Sequence, residues 1–390
     1  MSAGSILTRS DRYLVGNYAR FPIAFVSGNG CRLRSDEDRE YLDLFSGLGV
    51  SSLGCAHPAV AAAVREQSQK LIHTSNLYYH EPGADLAERL VELTFGDRVF
   101  FCNSGAEANE AAIKMARRYS KGRYKIVSVH RSFHGRTYGA LSATGQDSLK
   151  EGFGPMLEGF VHVEPCNIDA IAAAVDADTA AVLVEPIIGE GGILVPPPGY
   201  LKALRRICDE SGALLVLDEV QTGNGRTGKL FAYEHEGVAP DILATAKGLA
   251  AGLPIGAVIA REEVAAALVP GSHGTTFGAN PVCCAAALAV MRELVEGGVT
   301  ENAARVGDYL MRRLRELLSG FDSVVDIRGK GLMIGVELKT QARPVVLRLL
   351  ELGVIANATA GCVLRLLPPL VLTQEEAEEG ALAIAEAIRP

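Results

Sequence analysis

Two residues whose side chains could take part in a reaction lie at the ends of apolar segments. Asp218 ends the run ALLVLD, and Lys247 directly follows the run DILATA, 29 residues further on. Open α/β sheets bind ligands at strand ends, and a carboxylate buried there needs a positive partner. A lysine that loses solvent there has a lowered pKa, which favours the neutral amine that forms an imine. Taken alone, Asp218 is also typical of a helix cap or a metal ligand, and Lys247 of a surface lysine.

A third candidate lies in FFCNSGAEANEAAIKMAR, where a predicted strand, a short loop and a helix follow one another. Gly105 allows the backbone to approach a ligand, Ser104 offers a hydroxyl, and the first N–H groups of the helix point toward an anion. A simple helix cap fits the same residues. Together, the carboxylate, the amine and the anion loop predict a site for pyridoxal phosphate (PLP), whose ring nitrogen, aldehyde and phosphate need these three partners.

Alternating apolar and amphipathic segments between residues 50 and 280 must position these groups. The strand candidates are RVFFCN, YKIVSVH, AAVLVEP, ALLVLDEV, DILATA and IGAVIA, with helices at 106–119 and 200–210 between them. Continuous runs of branched residues are typical of parallel strands covered on both faces. The pattern therefore predicts an α/β domain with a mainly parallel central sheet.

The two ends of the chain have a different pattern. Residues 1–45 read as an extended segment with two short strands, and residues 286–390 as a smaller α+β domain. The predicted elements are turns at 28–30 and 36–38, helices at 301–319 and 373–388, and the strands VVDIRGKGLMIGVEL and VLRLLPPL. We expect residues 46–285 to form a large cofactor-binding domain, with the segment 1–45 joining the smaller domain.

The composition argues against several kinds of partner. The net charge is -8, without a basic run, so we expect no nucleic-acid partner. Eight scattered cysteines without a CxxC pair are typical of buried thiols in a reducing compartment, and they predict no metal site. Because no apolar run has the length of a membrane span and the first residues do not resemble an export signal, we expect no membrane partner and a cytoplasmic protein.

Eight segments, in this order, resemble the class III (ornithine-type) PLP-dependent aminotransferases of fold type I. They are YLDLFSGLGVSSLGCAHP, HTSNLYYHEP, NSGAEANEAAIKMAR, SFHGRT, VEPIIGEGG, LLVLDEVQTGNGRTG, DILATAKGL and HGTTFGANP. The resemblance covers nearly the whole chain from Tyr13 and is greatest to the branch that acts on acetylornithine. It implies PLP as cofactor and transfer of an ω-amino group to 2-oxoglutarate, within a homodimer that shares its active sites.

The resemblance also implies a role for each cofactor residue. Lys247 would bind PLP as a Schiff base and then carry a proton between substrate and cofactor, while Asp218 would pair with the ring nitrogen. Gln221 would contact the ring hydroxyl, Phe133 would stack on the ring, and Glu185 would support the region of Asp218. The other implied cofactor contacts are Ser104, Gly105, Ala106, Val220 and, from the neighbouring subunit, Thr276.

Four residues are implied at the substrate. Arg136 would bind a carboxylate, with Thr275 nearby. Glu190 would neutralise Arg365 when the amino donor lacks a carboxylate near the reacting amine. With glutamate, Arg365 would be released to bind the α-carboxylate, so that one site handles two dissimilar substrates.

Other functions remain open at this point. The amino donor could instead be ornithine, 4-aminobutyrate, succinylornithine or an intermediate of lysine biosynthesis. A PLP aminomutase would keep Lys247 and Asp218 but use no 2-oxo acid, and a silent binding protein would keep only the fold. The chain departs from the family pattern at Ala106, Ile188 and Phe277, where threonine, glutamine and tyrosine are frequent. These departures remove no chemical step, but they leave the amino donor undecided.

Overall fold

The computed structural model describes residues 3–389, in which helices and strands alternate. The helices are α1 (Ala3–Tyr13), α2 (Ser46–Gly49), α3 (Pro58–Lys70), α4 (Glu81–Glu92), α5 (Gly105–Tyr119), α6 (Tyr138–Ala143), α7 (Ile168–Ala174), α8 (Tyr200–Ser211), α9 (Glu262–Ala265), α10 (Pro281–Val295), α11 (Val299–Leu317), α12 (Arg343–Glu351) and α13 (Gln374–Ile388). The strands are β1 (Phe25–Asn29), β2 (Arg32–Ser35), β3 (Glu40–Asp43), β4 (Arg98–Cys102), β5 (Lys125–Val129), β6 (Phe160–Val163), β7 (Thr179–Val184), β8 (Leu214–Asp218), β9 (Ile242–Thr245), β10 (Gly256–Ala260), β11 (Val324–Lys330), β12 (Met333–Leu338), β13 (Val354–Ile355), β14 (Asn357–Thr359) and β15 (Val363–Leu366). Short 3₁₀ turns lie at Asp147–Leu149, Ala232–His235 and Lys247–Ala250.

The central sheet has, in the described part of the chain, seven strands in the order β4–β10–β9–β8–β7–β5–β6. Strand β10 runs antiparallel to both of its neighbours, β4 and β9. The pairs β9–β8, β8–β7, β7–β5 and β5–β6 are parallel. Every strand except β10 therefore points the same way, and these strands end at one edge, where open α/β sheets bind ligands.

Burial explains why most strands of this sheet can be predicted from the sequence. Every residue of β7, β8, β9 and β10 is buried, and α5 and α8 pack against these strands. Strands covered on both faces must be continuously apolar, so the predicted, mainly parallel α/β fold is confirmed. The apolar runs do not predict the edge strand β6, because its four residues are only half-buried and include a histidine.

The two ends of the chain meet in a second, N-terminal sheet. Strands β1, β2 and β3 form an antiparallel meander, and β13 adds to β3 in parallel. The Leu42 N–H donates to Gly353 O (2.8 Å) and the Leu44 N–H to Ile355 O (2.9 Å). We propose on this basis that the segments 1–45 and 286–390 form one smaller domain beside 46–285; residues 1, 2 and 390 lie outside the described part.

A third, C-terminal sheet follows the order β11–β12–β15–β14, with all neighbours antiparallel. Helix α11 packs on β11 and against α13. Helix α11 begins two residues earlier than predicted, because Gly298 has a φ of 75° and supplies the turn that precedes the helix. None of the helices in residues 3–389 has the length and apolar character needed to cross a bilayer.

The prediction of a wholly extended N-terminal segment is wrong in its first part. Helix α1 covers Ala3–Tyr13, before the predicted strands β1 and β2. Its residues Ile6, Leu7 and Ser10 are half-buried on one side, and most of the later ones are exposed. Ile6 and Leu7 are the only large aliphatic residues of this helix, which is too few to show a helical repeat in the sequence.

Candidate active site

A cavity of about 380 Å³ lies where the parallel strands of the central sheet end. Small-molecule sites have volumes of about 300–1,000 Å³, so the cavity has the size of a ligand site. Most of the predicted site residues line it, namely Ser104, Gly105, Ala106, Phe133, Arg136, Glu185, Glu190, Asp218, Val220, Gln221 and Lys247. They follow β4, β5, β7, β8 and β9, so the strand order brings residues from distant parts of the chain together.

Asp218 is the last residue of β8, and only 3% of it is exposed. Its Oδ2 accepts a hydrogen bond from Asn109 Nδ2 (2.7 Å) and is bonded to His134 Nδ1 (2.8 Å). Its Oδ1 accepts one from the Val220 N–H (3.0 Å). These contacts fix the orientation of the carboxylate, so a cation in the cavity meets a preorganised negative charge.

Lys247 begins the turn after β9, and its side chain reaches the cavity. Its φ of 45° lies in the left-handed region, which is strained for a lysine. The flanking carbonyls are held on both sides, since Asn224 Nδ2 donates to Ala246 O (3.1 Å) and Ser52 Oγ to Gly248 O (2.9 Å). Burial lowers the pKa of Lys247. A fixed and strained backbone therefore presents an amine that loses its proton more readily than the amine of an exposed lysine.

The amino terminus of α5 forms one wall of the cavity. Ser104 is the N-cap, and its Oγ accepts a hydrogen bond from the Glu107 N–H (3.2 Å). Gly105 packs on Val220, because a Cβ atom at residue 105 would lie 2.6 Å from Val220 Cγ1. The first N–H groups of a helix have no partner within it, so this wall offers hydrogen-bond donors to an anion.

Glu185 supports the wall that carries Phe133. Its Oε1 accepts a hydrogen bond from the Phe133 N–H (2.9 Å) and its Oε2 one from the Gly189 N–H (2.9 Å). Burial raises the pKa of Glu185 to about 7.

Arg136 is exposed, and its guanidinium carbon lies 5.6 Å from the centre of the Phe133 ring. Within residues 3–389 Arg136 forms no ion pair, so its guanidinium can bind a carboxylate in the cavity.

An ion pair joins the loop after β7 to β15. Arg365 Nη1 lies 2.5 Å from Glu190 Oε1, and Arg365 Nη2 donates to Asn357 Oδ1 (2.8 Å). Gln221 joins the pair, since its Nε2 donates to Glu190 Oε1 (3.3 Å) and its Oε1 accepts from Arg365 Nη1 (3.4 Å). Burial acts to raise the pKa of Glu190, but the charge and hydrogen bond of Arg365 outweigh it, and the pKa is lowered.

The two members of this pair differ in their access to the cavity. Glu190 lines it, whereas Arg365 does not and is only 1% exposed. The Nε of Arg365 is buried and has no hydrogen-bond partner among the described residues. The carboxylate therefore stands between the cavity and a guanidinium that has an unused donor.

The two predicted threonines also lie outside the cavity lining. Thr275 Oγ1 accepts a hydrogen bond from Asn103 Nδ2 (3.0 Å), and its carbonyl accepts one from Asn76 Nδ2 (3.0 Å). Thr276 is exposed. Thr275 is thus linked to the cavity through Asn103, which lines it, whereas the structure shows no contact of Thr276 with the cavity of its own chain.

Several residues of the site are absent from the prediction. Asn109 and His134 hold Asp218, and Val50 lines the cavity. Asn109 follows Gly105 by four residues and so lies on the same face of α5, a signal that helical spacing contains. Val50 has no such signal. It reaches the cavity after the turn α2, whose four residues all have positive φ, and this backbone cannot be read from residue types.

The arrangement has a definite chemical capacity. A fixed carboxylate, an amine with a lowered pKa and a set of backbone N–H donors surround one cavity. They fit a ligand that combines a cationic ring, a carbonyl group and a phosphate. No cluster of three or more His, Cys, Asp and Glu side chains that could hold a metal occurs in residues 3–389.

Comparisons with known proteins agree over almost the full length. The model of the family "Aminotransferase class-III" matches residues 14–388. The acetylornithine aminotransferase of Caldanaerobacter subterraneus is 48% identical over 96% of each chain, and that of Methanopyrus kandleri is 49% identical over 97% of each chain. A solved ornithine aminotransferase from Toxoplasma gondii, with PLP at partial occupancy in its active site, has a TM-score of 0.96 at 35% identity and covers 99% of this chain and 94% of that chain. The chain belongs to the class III aminotransferase family.

Proposed function

We propose that the protein uses PLP to move the ω-amino group of N2-acetylornithine to 2-oxoglutarate, giving N-acetylglutamate semialdehyde and glutamate. The names of the two relatives at 48% and 49% identity support this amino donor. The observation that carries the proposal is the Glu190–Arg365 pair beside the cavity. A pair that is closed for one substrate and open for the other lets a single cavity accept two amino donors with different charges near the reacting amine.

The residues of the cavity fit PLP. Asp218 offers a negative charge to the ring nitrogen, Lys247 offers an amine with a lowered pKa, and the amino terminus of α5 offers donors to the phosphate. The Gly105–Val220 contact keeps the α5 wall close to the strand end that carries Asp218. When bound, PLP supplies an electron-accepting ring that stabilises negative charge on the substrate carbon.

Lys247 is the proposed base. Because burial lowers its pKa, Nζ is neutral in a larger fraction of molecules at neutral pH than the amine of an exposed lysine. A neutral amine can take a proton from the substrate carbon and return it to a second position. The hydrogen bonds from Asn224 and Ser52 hold the turn, so Nζ stays at the cavity during both transfers.

Substrate choice is assigned to Glu190, Arg365 and Arg136. N2-acetylornithine has no carboxylate beside its reacting amine, so the Glu190–Arg365 pair stays closed with this donor. Glutamate has one, and Arg365 offers it a two-point contact through an Nη group and the buried Nε that has no partner in residues 3–389. Arg136, which lines the cavity three residues after Phe133, binds the carboxylate that lies far from the reacting amine.

Two copies of the chain are proposed to share their active sites. Leu77, Tyr78 and Tyr79 are 86%, 68% and 104% exposed, and Phe277 is 61% exposed. Asn76, which directly precedes Leu77, donates a hydrogen bond to the Thr275 carbonyl and so connects the segment of Leu77 to that of Phe277. A cluster of exposed apolar side chains of this kind is typical of an interface, and two-fold dimers are the commonest assembly. Thr276, which is exposed at this surface, then reaches the cofactor phosphate of the other copy.

Complementation tests this shared site. Lys247→Ala and Thr276→Ala copies are each expected to be impaired, and mixed dimers should regain activity, because one of their two sites contains both native residues. A mixture that regains no activity after subunit exchange contradicts the role of Thr276.

A substrate panel tests the proposed reaction. Specificity constants are compared for acetylornithine, ornithine, 4-aminobutyrate and succinylornithine, with 2-oxoglutarate as acceptor, and acetylornithine should have the highest. Ornithine is the second candidate, because the solved enzyme that superposes with a TM-score of 0.96 acts on it by name. A clearly higher value for another donor contradicts the assignment, and turnover without 2-oxoglutarate indicates an aminomutase.

A further inference from the structure

The four consecutive backbone carbonyls of residues 190–193, here called the Glu190 loop, are each held by a side chain from another part of the chain. Thr359 Oγ1 donates to the first carbonyl (2.6 Å) and Arg131 Nη2 to the second. Arg328 donates to the last two, through Nη2 to the third (2.7 Å) and through Nε to the fourth (2.9 Å). Hydrogen bonds from a charged donor are stronger than those between neutral groups, and Arg328 supplies two of the three charged hydrogen bonds to this loop, Arg131 the other.

The loop needs such support because its backbone is not one that its residues favour. Gly192 has a φ of 105° and Ile193 a φ of 52°. A β-branched residue is strained in the left-handed region, and strain of this kind persists only where surrounding contacts impose it. Ile193 is also fully buried against the C-terminal sheet, where a Cβ atom at Gly335 would lie 3.1 Å from Ile193 Cβ.

Part of this support comes from one row of residues across the C-terminal sheet. Arg328 on β11 is directly opposite Gly335 on β12, which is opposite Arg365 on β15, which is opposite Asn357 on β14. Directly opposed residues of a sheet lie on the same face. This row contains Arg365, the partner of Glu190, and Asn357, which accepts a hydrogen bond from Arg365. It also contains Gly335, which leaves room for the loop, and Arg328, which donates to two of its carbonyls.

Arg328 is itself held in place. Its Nη1 donates to Asp326 Oδ2 (3.0 Å) and to Glu337 Oε2, both on the β11–β12 hairpin. These carboxylates neutralise the guanidinium and set its plane, which leaves Nε and Nη2 directed at the loop. The charge of Arg328 is therefore neutralised within its own hairpin, and Nε and Nη2 are left to donate to the carbonyls of the Glu190 loop.

We propose that Arg328, with Thr359, is a positioning residue that holds Glu190 against Arg365 and thereby sets the preference between the two amino donors. The inference rests on the proposed function, in which the pair is closed for an ω-amino donor and open for glutamate. When the loop loosens, Glu190 neutralises Arg365 less completely. An unneutralised Arg365 disfavours a donor without a nearby carboxylate, while glutamate, which displaces Glu190 in any case, is affected less.

The test compares the two half-reactions separately in single-turnover experiments on the holoenzyme, followed by cofactor absorbance. Thr359→Val keeps the side-chain shape without the donor, and Arg328→Met removes both donors of the guanidinium. In Thr359→Val the ratio of kcat/KM for acetylornithine to that for glutamate should fall by about tenfold, the effect expected for loss of one hydrogen bond that acts in one complex only. In Arg328→Met, which loses two hydrogen bonds to the loop, the ratio should fall by at least as much.

Two variants serve as controls. Thr359→Ser restores the hydroxyl and should return the ratio to the wild-type value. Arg313→Met removes an arginine that is also ion-paired, to Glu378, but lies on α11 away from the loop, and it should leave the ratio unchanged.

Several outcomes overturn the proposal. An equal loss in both half-reactions, or a lower melting temperature with an unchanged ratio, means that Arg328 and Thr359 only stabilise the fold. If Arg328→Met does not fold, Thr359→Val and Thr359→Ser decide the question by themselves. If the wild-type enzyme prefers another ω-amino donor, the proposed donor is wrong, but the ratio is then measured with that donor and still tests Arg328.

Discussion

Two charged parts of the site, the cavity floor and the Glu190–Arg365 pair, are fixed in place by different kinds of contact. The floor, meaning Asp218, Lys247 and the residues that hold them, is built largely on the central sheet, and Asp218 is fixed by Asn109, His134 and Val220. The pair instead crosses from the loop after β7 to the C-terminal sheet, and it leaves one arginine donor unused. A charge fixed within one sheet suits a step common to every substrate, whereas a pair formed between two sheets suits a choice between substrates.

Loss of the floor amine should have the largest effect. Lys247→Ala removes Nζ, and we expect kcat to fall by about 10⁴-fold or more in both half-reactions, because the proposed covalent attachment of PLP and the proposed proton transfer would both be lost. Borohydride reduction should attach PLP to the wild-type protein and not to the variant. Lys202→Ala, at an exposed lysine of α8, is the matched control and should keep wild-type activity. Attachment of PLP to Lys247→Ala would falsify the assignment of the lysine.

Neutralising the floor carboxylate should have the next largest effect. Asp218→Asn keeps the size of the side chain but removes the charge that is proposed to face the ring nitrogen, and kcat should fall by about 10²–10³-fold in both half-reactions. Asp209→Asn, at an exposed aspartate paired with Arg205, is the control. If Asp218→Asn impairs only one half-reaction, the distinction between floor and pair is wrong.

Neutralising the pair should separate the two half-reactions. Glu190→Gln leaves Arg365 without its partner, so kcat/KM for acetylornithine should fall by about tenfold to a hundredfold while the value for glutamate changes little or rises. The measurement is the same pair of single-turnover rates. Glu210→Gln, at an exposed residue of α8, should leave both rates unchanged. A parallel loss of both rates contradicts the role of Glu190 in substrate choice.

The last prediction concerns stability, and not a rate, at the wall beside the floor. The pKa of Glu185 is raised to about 7, so between about pH 4.5 and 7 the folded protein keeps a proton that the unfolded chain releases. Its contribution to the free energy of unfolding is therefore full at low pH and is lost as the pH rises through 7. Relative to Glu185→Gln, the wild-type protein should lose roughly 2–3 kcal/mol between pH 4.5 and 8, measured by urea denaturation. A difference that does not depend on pH contradicts the raised pKa.

The floor could be predicted from the sequence to a greater extent than the contacts that hold it. Asp218 and Lys247 each follow a continuous apolar run, and such runs become buried strands with a shared edge. The bonds of Asn109 and His134 to Asp218 depend on how α5 packs over the sheet. Asn109 and His134 both lie in segments that resemble the family, but the sequence does not show that they come within hydrogen-bond distance of Asp218.

The pair shows a different limit. Glu190 and Arg365 follow from the resemblance to a family, not from local pattern, and the role of Arg328 has no signal in the sequence. Arg328 and Arg365 come into one row because β12 lies between β11 and β15. That register is set by the packing of four strands together, and residue types within any one strand do not determine it.

The parallel pairing of β3 with β13 has a consequence for the synthesis of the chain. Leu42 lies beside Val354, so the partner of β3 is made about 300 residues after β3 itself. At translation rates of about 5–20 residues per second, β3 leaves the ribosome roughly 15–60 s before β13 exists. During that time the meander β1–β3 has an unpaired edge that other nascent chains can join. The first part of the chain to be made is thus among the last to reach its final pairing.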